Sequence, residues 1–255
     1  MFTWTGTSVH LEEAAALARE IAAVGGAINL PYIAVSCDIG APTPPVGPDG
    51  RPFAETTFRW IDDFRYWEDR SFALRSAFIH ACRVCSEPFY YTGGRMWSWR
   101  ANPALEAVSA EGIIATYGVG AAVVAPAYLT GGVIGAVVWA TTDASLDVAA
   151  LFEARAAELH ALALRFVATY AEATGATSGD APAHLTRREI QCLKWAAAGK
   201  TDAEIGKIVS ISTPTVRFHI VNASRKLGVA GRSQAIHRAA TLGYIGSADQ
   251  TPTRS

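Results

Sequence analysis

The chain has 255 residues, half of them apolar and 18% charged, with a formal net charge of −1. This length suits one large domain or two smaller ones, and the composition excludes a disordered chain. The sequence has no apolar run of about 18 residues, no secretory signal at its N-terminus and too few cysteines for a disulfide scaffold, so we expect a reduced, cytoplasmic protein without a membrane span.

Residues 1–173 have the pattern of a domain that mixes helices and strands. Apolar periodicity and turn residues predict, in chain order, a helix over about 8–24, a strand at 32–38, a Pro- and Gly-rich loop at 40–52, helical or irregular segments over about 55–86, strands at 120–127 and 133–141 joined at 130–132, and a long helix over about 147–172.

Charge divides the chain into two parts. Residues 1–182 contain 11 Arg, no Lys and 19 Asp or Glu, whereas 183–245 contain 10 Lys or Arg against 3 acids. A basic segment attached to an acidic body is typical of a nucleic-acid-binding module with a separate regulatory part. Small and polar residues with Gly and Pro predict a linker at 174–184, and 246–255 form a C-terminal tail.

The basic segment 185–245 has the pattern of four helices. Thr186 with Glu189 and Thr201 with Glu204 are the spacings of two capping boxes, which begin the first and second helices. A third helix is predicted from Thr213, as N-cap before Pro214, to about Leu227, and Ser233 is predicted to cap a fourth that ends near Gly243.

The third predicted helix is basic and begins with short polar side chains, which suits the major groove of DNA. Its apolar stripe leaves a polar set outside the core, and these residues are the candidate DNA contacts: Thr213, Thr215, Arg217, His219, Asn222 and Lys226. Arg217 is expected to bind a guanine edge and Lys226 a phosphate.

This segment closely resembles the helix-turn-helix of LuxR-type regulators over essentially all of 185–245. The resemblance is carried by the sequences at 185–189, 198–201, 204–205, 215–219 and 225–229. It implies that the third helix reads double-stranded DNA and that the fourth helps to pair two domains in a homodimer.

The N-terminal part of such a regulator receives the signal. The absence of lysine from 1–182 excludes a phospho-receiver domain and a P-loop ATPase, both of which need a lysine. Thirteen of the 25 aromatic residues lie between Phe53 and Trp99, which favours a cavity for a small molecule.

The sequences at 88–91 and 117–126 resemble parts of the acyl-homoserine-lactone-binding domain of quorum-sensing regulators. The resemblance implies a set of ligand-binding positions: Trp60, Tyr66, Trp67, Ser76, Tyr91 and Ala122. Ser76 stands where the family has an aspartate that accepts a hydrogen bond from the ligand amide, and a hydroxyl is a weaker acceptor. The resemblance implies an acyl-homoserine lactone as the signal, whereas the serine at this position favours a different small molecule, so both stay open.

The expected fold class is α+β, with an N-terminal α/β/α sandwich as sensor and a C-terminal all-α, four-helix helix-turn-helix domain. No nucleophile, acid–base or metal-site motif indicates an enzyme, and no cofactor is expected. Two alternatives stay open. The protein could be a dimeric regulator that needs no ligand, or a redox-sensing regulator that uses Cys82 and Cys85, which are otherwise expected to be buried in a helix.

Overall fold

The computed structural model describes residues 5–41, 43–61, 65, 68, 76–110, 118–176 and 183–246. The chain forms two compact units, one within Met1–Ser178 and the other within Gly179–Ser255. In the part of the chain that is described, no helix is long and apolar enough to cross a membrane.

The N-terminal unit mixes helices with one antiparallel sheet. Its elements are α1 (Thr5–Ala27), β1 (Tyr32–Ser36), α2 (Phe53–Thr56), α3 (Ala77–Val84), β2 (Phe89–Thr92), β3 (Arg95–Ser98), α4 (Pro103–Ala110), β4 (Ala121–Tyr128), β5 (Ile134–Thr141) and α5 (Val148–Thr174). The strands lie in the order β1-β5-β4-β2-β3. Five predicted elements, namely the first helix, the strand at 32–38, the strands on either side of 130–132 and the long helix, are present with shifts of one to three residues at most ends.

The central strands β4 and β5 are buried on both faces, and their alternate residues enter two different apolar layers. Val123 and Trp139 pack with α1 and α5 on one face. Val124 and Val138 pack with α3 and α4 on the other. This period of two follows from the pleat of a strand, and it produces an α/β/α sandwich, so the predicted fold class is confirmed.

The β2–β3 hairpin and α4 are elements that the sequence analysis missed. Gly93 and Gly94 form a two-residue turn with φ of 56° and 81°, which is the Gly-Gly signal of a tight hairpin. Before α4, the side-chain oxygen of Asn102 accepts hydrogen bonds from the amides of Ala104 (3.0 Å) and Leu105 (3.3 Å), as a helix N-cap does. Both signals are local and were readable in the sequence.

The C-terminal unit is all-helical in its described residues, and all four predicted helices are present. They are α6 (Arg187–Ala197), α7 (Asp202–Val209), α8 (Thr213–Lys226) and α9 (Arg232–Thr241). Both predicted capping boxes form, at Thr186 with Glu189 and at Thr201 with Glu204.

Two predicted caps were wrong. The N-cap of α8 is Ser212, whose extended backbone lets its hydroxyl accept from the amide of Thr215 (3.3 Å), while Thr213 is already helical. The residue before α9 is Gly231, which has no side chain to cap with, and Ser233 lies inside the helix. At the start of α9 it is the side chain of Gln234 that accepts a hydrogen bond, from the amide of Ala230 (3.1 Å).

Candidate functional site

A tight turn joins α7 to α8 and fixes how α8 is presented. Ser210 ends α7 in the left-handed region with φ of 57°, and Ser212 begins α8 two residues later. Gly206 allows this close approach, because a Cβ at that position would lie 2.7 Å from the carbonyl oxygen of Ile211. The turn therefore holds α8 against α7 as a rigid pair, with Ile205 and Val216 buried in the shared core.

The face of α8 that points away from this core is exposed. All six sequence candidates lie on α8 and none of them is buried. Phe218 and Val221 lie on the same outer face and are 61% and 59% exposed. Such a surface, polar with two exposed apolar side chains, fits base edges and thymine methyl groups in a major groove.

Several of these candidates are held by neighbours on the same helix. The hydroxyls of Thr215 and Ser212 lie 2.7 Å apart. Arg225 donates to the side-chain oxygen of Asn222 at 2.8 Å, and the rings of Phe218 and His219 are in edge contact at 5.7 Å. These contacts restrict the side chains before any ligand arrives, which lowers the entropy lost on binding.

Lys226 has a partner inside the domain. Its ammonium group lies 2.8 Å from the carboxylate of Glu189, whose side chain is only 4% exposed. The same carboxylate accepts from the Thr186 amide at 2.7 Å and closes the capping box of α6. Burial raises the pKa of Glu189, but the hydrogen bonds from Lys226 and Thr186 outweigh it and hold that pKa below its ordinary value. Lys226 therefore ties α8 to α6, a role that the sequence analysis did not foresee.

The three acids of the basic segment are each paired with a base. Glu189 binds Lys226, Glu204 lies 3.9 Å from Lys200, and Asp202 binds Arg232. One carboxylate, that of Asp202, borders the exposed face of α8 at 3.6 Å from Arg217, but the face itself contains basic and no acidic residues. Its field is therefore positive, which favours a polyanion.

Sequence reasoning missed three residues of this surface: Phe218, Arg225 and Asp202. The first two stand opposite the apolar stripe of α8, so a helical wheel drawn from the sequence would have found them. Asp202 lies on α7, and only the folded structure brings it near Arg217, at 3.6 Å.

The N-terminal unit contains a small apolar cavity of about 60 Å³ between β1, β5 and α3. It is lined by Ala34, Val35, Ser36, Ile39, Trp60, Ser76, Phe78, Ile79, Ala136 and Val138. Two of the candidate ligand residues, Trp60 and Ser76, therefore line the same space. Drug-sized ligands occupy pockets of about 300–1,000 Å³, so this cavity must widen to admit one.

The other ligand candidates are distributed differently. Tyr91 and Ala122 pair across β2 and β4 in the same apolar layer as Trp60, but they are not among the residues that line the cavity. Tyr66 and Trp67 lie outside the described residues.

Ser76 is the residue at which the cavity wall meets α3. It precedes the helix with extended backbone angles, its side chain makes no capping hydrogen bond, and it is 8% exposed. Its hydroxyl is thus not needed to begin α3. A buried hydroxyl in an apolar wall is a suitable single anchor for a ligand with one polar group.

Cys82 and Cys85 lie in the interior of the N-terminal unit. Cys82 is inside α3, whereas Cys85 follows the helix end, and both are buried. Burial raises the pKa of both thiols, and Cys85 donates to the carbonyl oxygen of Glu87 at 3.3 Å. A redox sensor needs an accessible thiolate, so these surroundings disfavour the redox alternative. Among the described residues, no group of three or more His, Cys, Asp or Glu could hold a metal.

Comparison with known families and proteins finds its family match in the C-terminal unit. Residues 183–239 match the family model described as bacterial regulatory proteins of the luxR family. The transcriptional activator VanR of Vibrio anguillarum is 54% identical over 61 residues, which are 24% of this chain and 25% of VanR. The transcriptional activator PhzR of Pseudomonas fluorescens is 36% identical over 125 residues, 47% of this chain and 49% of PhzR. The matches therefore span a quarter to a half of these relatives.

Among solved structures, a complex of SdiA with octanoyl-rac-glycerol aligns with 97% of this chain and 100% of that chain, at 19% identity and a TM-score of 0.44. A crystal structure of Escherichia coli SdiA aligns with 71% of this chain and 73% of that chain, at 21% identity and a TM-score of 0.40.

Proposed function

We propose that this protein is a DNA-binding transcriptional regulator whose N-terminal domain responds to a small molecule. The proposal starts from the match of its C-terminal domain to the luxR family of bacterial regulatory proteins. The observation that carries the DNA-binding part is the exposed outer face of α8. It presents Arg217, Phe218 and Arg225 from a helix that is held rigidly by the α7–α8 turn.

Arg217, His219 and Asn222 are the proposed base-reading residues, with Thr213 and Thr215 at the N-terminus of α8 near the phosphates. Lys226 takes part mainly by holding α8 on α6, since its ammonium group is bound to Glu189. A homodimer would place two such helices one helical turn apart on a symmetric site, which adds affinity and length to the recognised sequence.

The ligand is proposed to enter the cavity beside Trp60 and Ser76. Among the described residues that line this cavity none is charged, and the polar side chains are two serines and an indole, so we expect a neutral, mainly apolar ligand with few hydrogen-bonding groups. Because the cavity measures only about 60 Å³, a ligand must select or induce a wider state. Ligand binding would then shift a conformational equilibrium of the N-terminal domain.

The small cavity also favours a second candidate function. A regulator that needs no ligand would keep this layer closed, with Trp60 and Ser76 as ordinary core residues. In that case the N-terminal domain would serve only to pair two chains.

Two measurements on the purified full-length protein test these proposals. Selection from random double-stranded DNA, followed by fluorescence anisotropy at two salt concentrations, should yield a preferred sequence and a steep salt dependence. Absence of a preferred sequence would contradict the regulator. Native mass spectrometry should show a dimer with or without a bound small molecule, and a ligand-free dimer with full DNA affinity would favour the second candidate.

A further inference from the structure

Asp202 bridges two arginines that come from different helices. One of its carboxylate oxygens accepts a hydrogen bond from Arg232 on α9, and the other lies 3.6 Å from the Nε of Arg217 on α8. Arg232 is fixed from a second side, because it also donates to the carbonyl oxygen of Lys200 at 2.6 Å. The carboxylate is therefore anchored before it meets Arg217.

The exposures of the two partners show which one is positioned. The side chain of Asp202 is 20% exposed, whereas that of Arg217 is 74% exposed. An exposed arginine has much rotamer freedom, which it loses when it binds a base. A fixed carboxylate on its Nε restricts that freedom in advance.

The geometry leaves the two terminal nitrogens of Arg217 available as hydrogen-bond donors. At 3.6 Å the contact at Nε is an ion pair rather than a hydrogen bond, so all the N–H donors of the planar guanidinium fork remain available. The two terminal nitrogens can then donate together to O6 and N7 of guanine, the commonest specific contact in the major groove.

We propose that Asp202 is a positioning residue for base reading. It holds Arg217 through Nε so that the terminal nitrogens face a guanine, and preference for that base pair depends on the carboxylate. The inference rests on the proposed function, because it concerns how the same DNA surface chooses its sequence. Asp202 itself touches no base in this scheme.

A purely structural role for Asp202 predicts something different. If the carboxylate only anchors Arg232 and thereby α9, its loss would weaken the fold and lower binding to every sequence alike. The two roles separate in base preference, since only the positioning role acts through Arg217.

The test uses the full-length protein, the site selected from random DNA by the wild type, and versions of that site in which each G·C pair is changed to A·T. Affinities are measured by anisotropy at one salt concentration for the wild type, Asp202→Asn, Arg217→Ala and the double variant. Asp202→Asn is expected to reduce discrimination at one G·C pair by about three- to tenfold. The same change made in Arg217→Ala is expected to leave discrimination unaltered.

Glu204→Gln is the matched control, because it removes a carboxylate of the same helix that lies beside Lys200 and not beside Arg217, and glutamine can still close the capping box. It is expected to keep the base preference even if thermal stability falls. The assignment would be overturned if Asp202→Asn lost the same affinity for all sequences. It would also be overturned if Asp202→Asn reduced discrimination as much in the Arg217→Ala background as in the wild type. A wild-type protein without any preferred sequence would instead refute the proposed function, so the two failures are distinguishable.

Discussion

Lys226→Met is expected to destabilise the contact between α6 and α8, rather than simply to remove a phosphate ligand. The substitution keeps most of the apolar stem and deletes the ammonium group that lies 2.8 Å from Glu189. It leaves a carboxylate that is 4% exposed without its counter-charge. Removing one partner of a fully buried pair costs about 3–5 kcal/mol.

The expected cost here is smaller, for two reasons visible in the structure. The Lys226 side chain is 35% exposed, so solvent already screens part of the attraction. Glu189 also keeps its hydrogen bonds with Thr186. We therefore expect a loss of about 2 kcal/mol in the free energy of unfolding of this domain at pH 7.

The lowered pKa of Glu189 determines how the stability lost in Lys226→Met varies with pH. The pKa of Glu189 is lowered in the folded protein, so its contribution is present above its ordinary pKa and is lost as the pH falls through the folded value. In Lys226→Met the effect of burial is less opposed, so Glu189 should take up its proton at a higher pH than in the wild type. The stability difference between the two proteins should thus be largest near neutral pH and should shrink in acid.

Native-state hydrogen exchange on the full-length chain, followed by mass spectrometry of peptides from α6 and α8, measures the loss of stability in these two helices. A loss of about 2 kcal/mol corresponds to roughly 30-fold faster exchange through the opening of these helices. Lys207→Met is the control, because it removes an equal charge from an exposed position. Unchanged exchange in Lys226→Met, together with weaker binding to all DNA sequences, would refute this reasoning and restore Lys226 as a phosphate contact.

The remaining predictions concern DNA binding, modularity and the ligand. Arg217→Ala is expected to weaken binding to the preferred site by about 1–3 kcal/mol and to relax one base preference in an anisotropy assay, and an unaltered preference would show that Arg217 meets no base edge. A fragment that begins at Ala183 is expected to fold alone, by circular dichroism, because α6–α8 begin with side-chain caps and α6–α9 share their own core. It should bind DNA more weakly than the full chain because it loses the effective concentration given by N-terminal pairing, and equal affinities would remove that pairing role. Calorimetric titration with a short- and a long-chain acyl-homoserine lactone is expected to show weak or no binding, because a neutral hydroxyl at Ser76 supplies about 1–2 kcal/mol less than a carboxylate. Ser76→Asp alone is not expected to restore tight binding in a cavity of about 60 Å³, and nanomolar binding by the wild type would contradict the idea of an altered pocket.

Much of the C-terminal domain could be read from the sequence because its signals are local. A capping box is a contact between residues three apart, and the apolar stripe of α8 follows from helical periodicity. The errors were local as well. The N-cap of α8 is Ser212 and not the predicted Thr213. Several short polar residues stand next to each other here, and only the backbone angles decide which of them caps the helix.

The sequence by itself thus determined the fold class, the existence of α6–α9 and the face of α8 that is exposed. The tertiary structure decided which charges on that surface have partners. Lys226 and Glu189 are 37 residues apart, and Asp202 and Arg232 are 30 apart, so no periodicity links them. It also decided that Trp60 and Ser76 share a cavity while Tyr91 and Ala122 pair in the neighbouring strands. Helical and strand patterns are set by neighbours along the chain, whereas ion pairs and cavities depend on how separate elements pack, and packing is fixed only when the whole chain is folded.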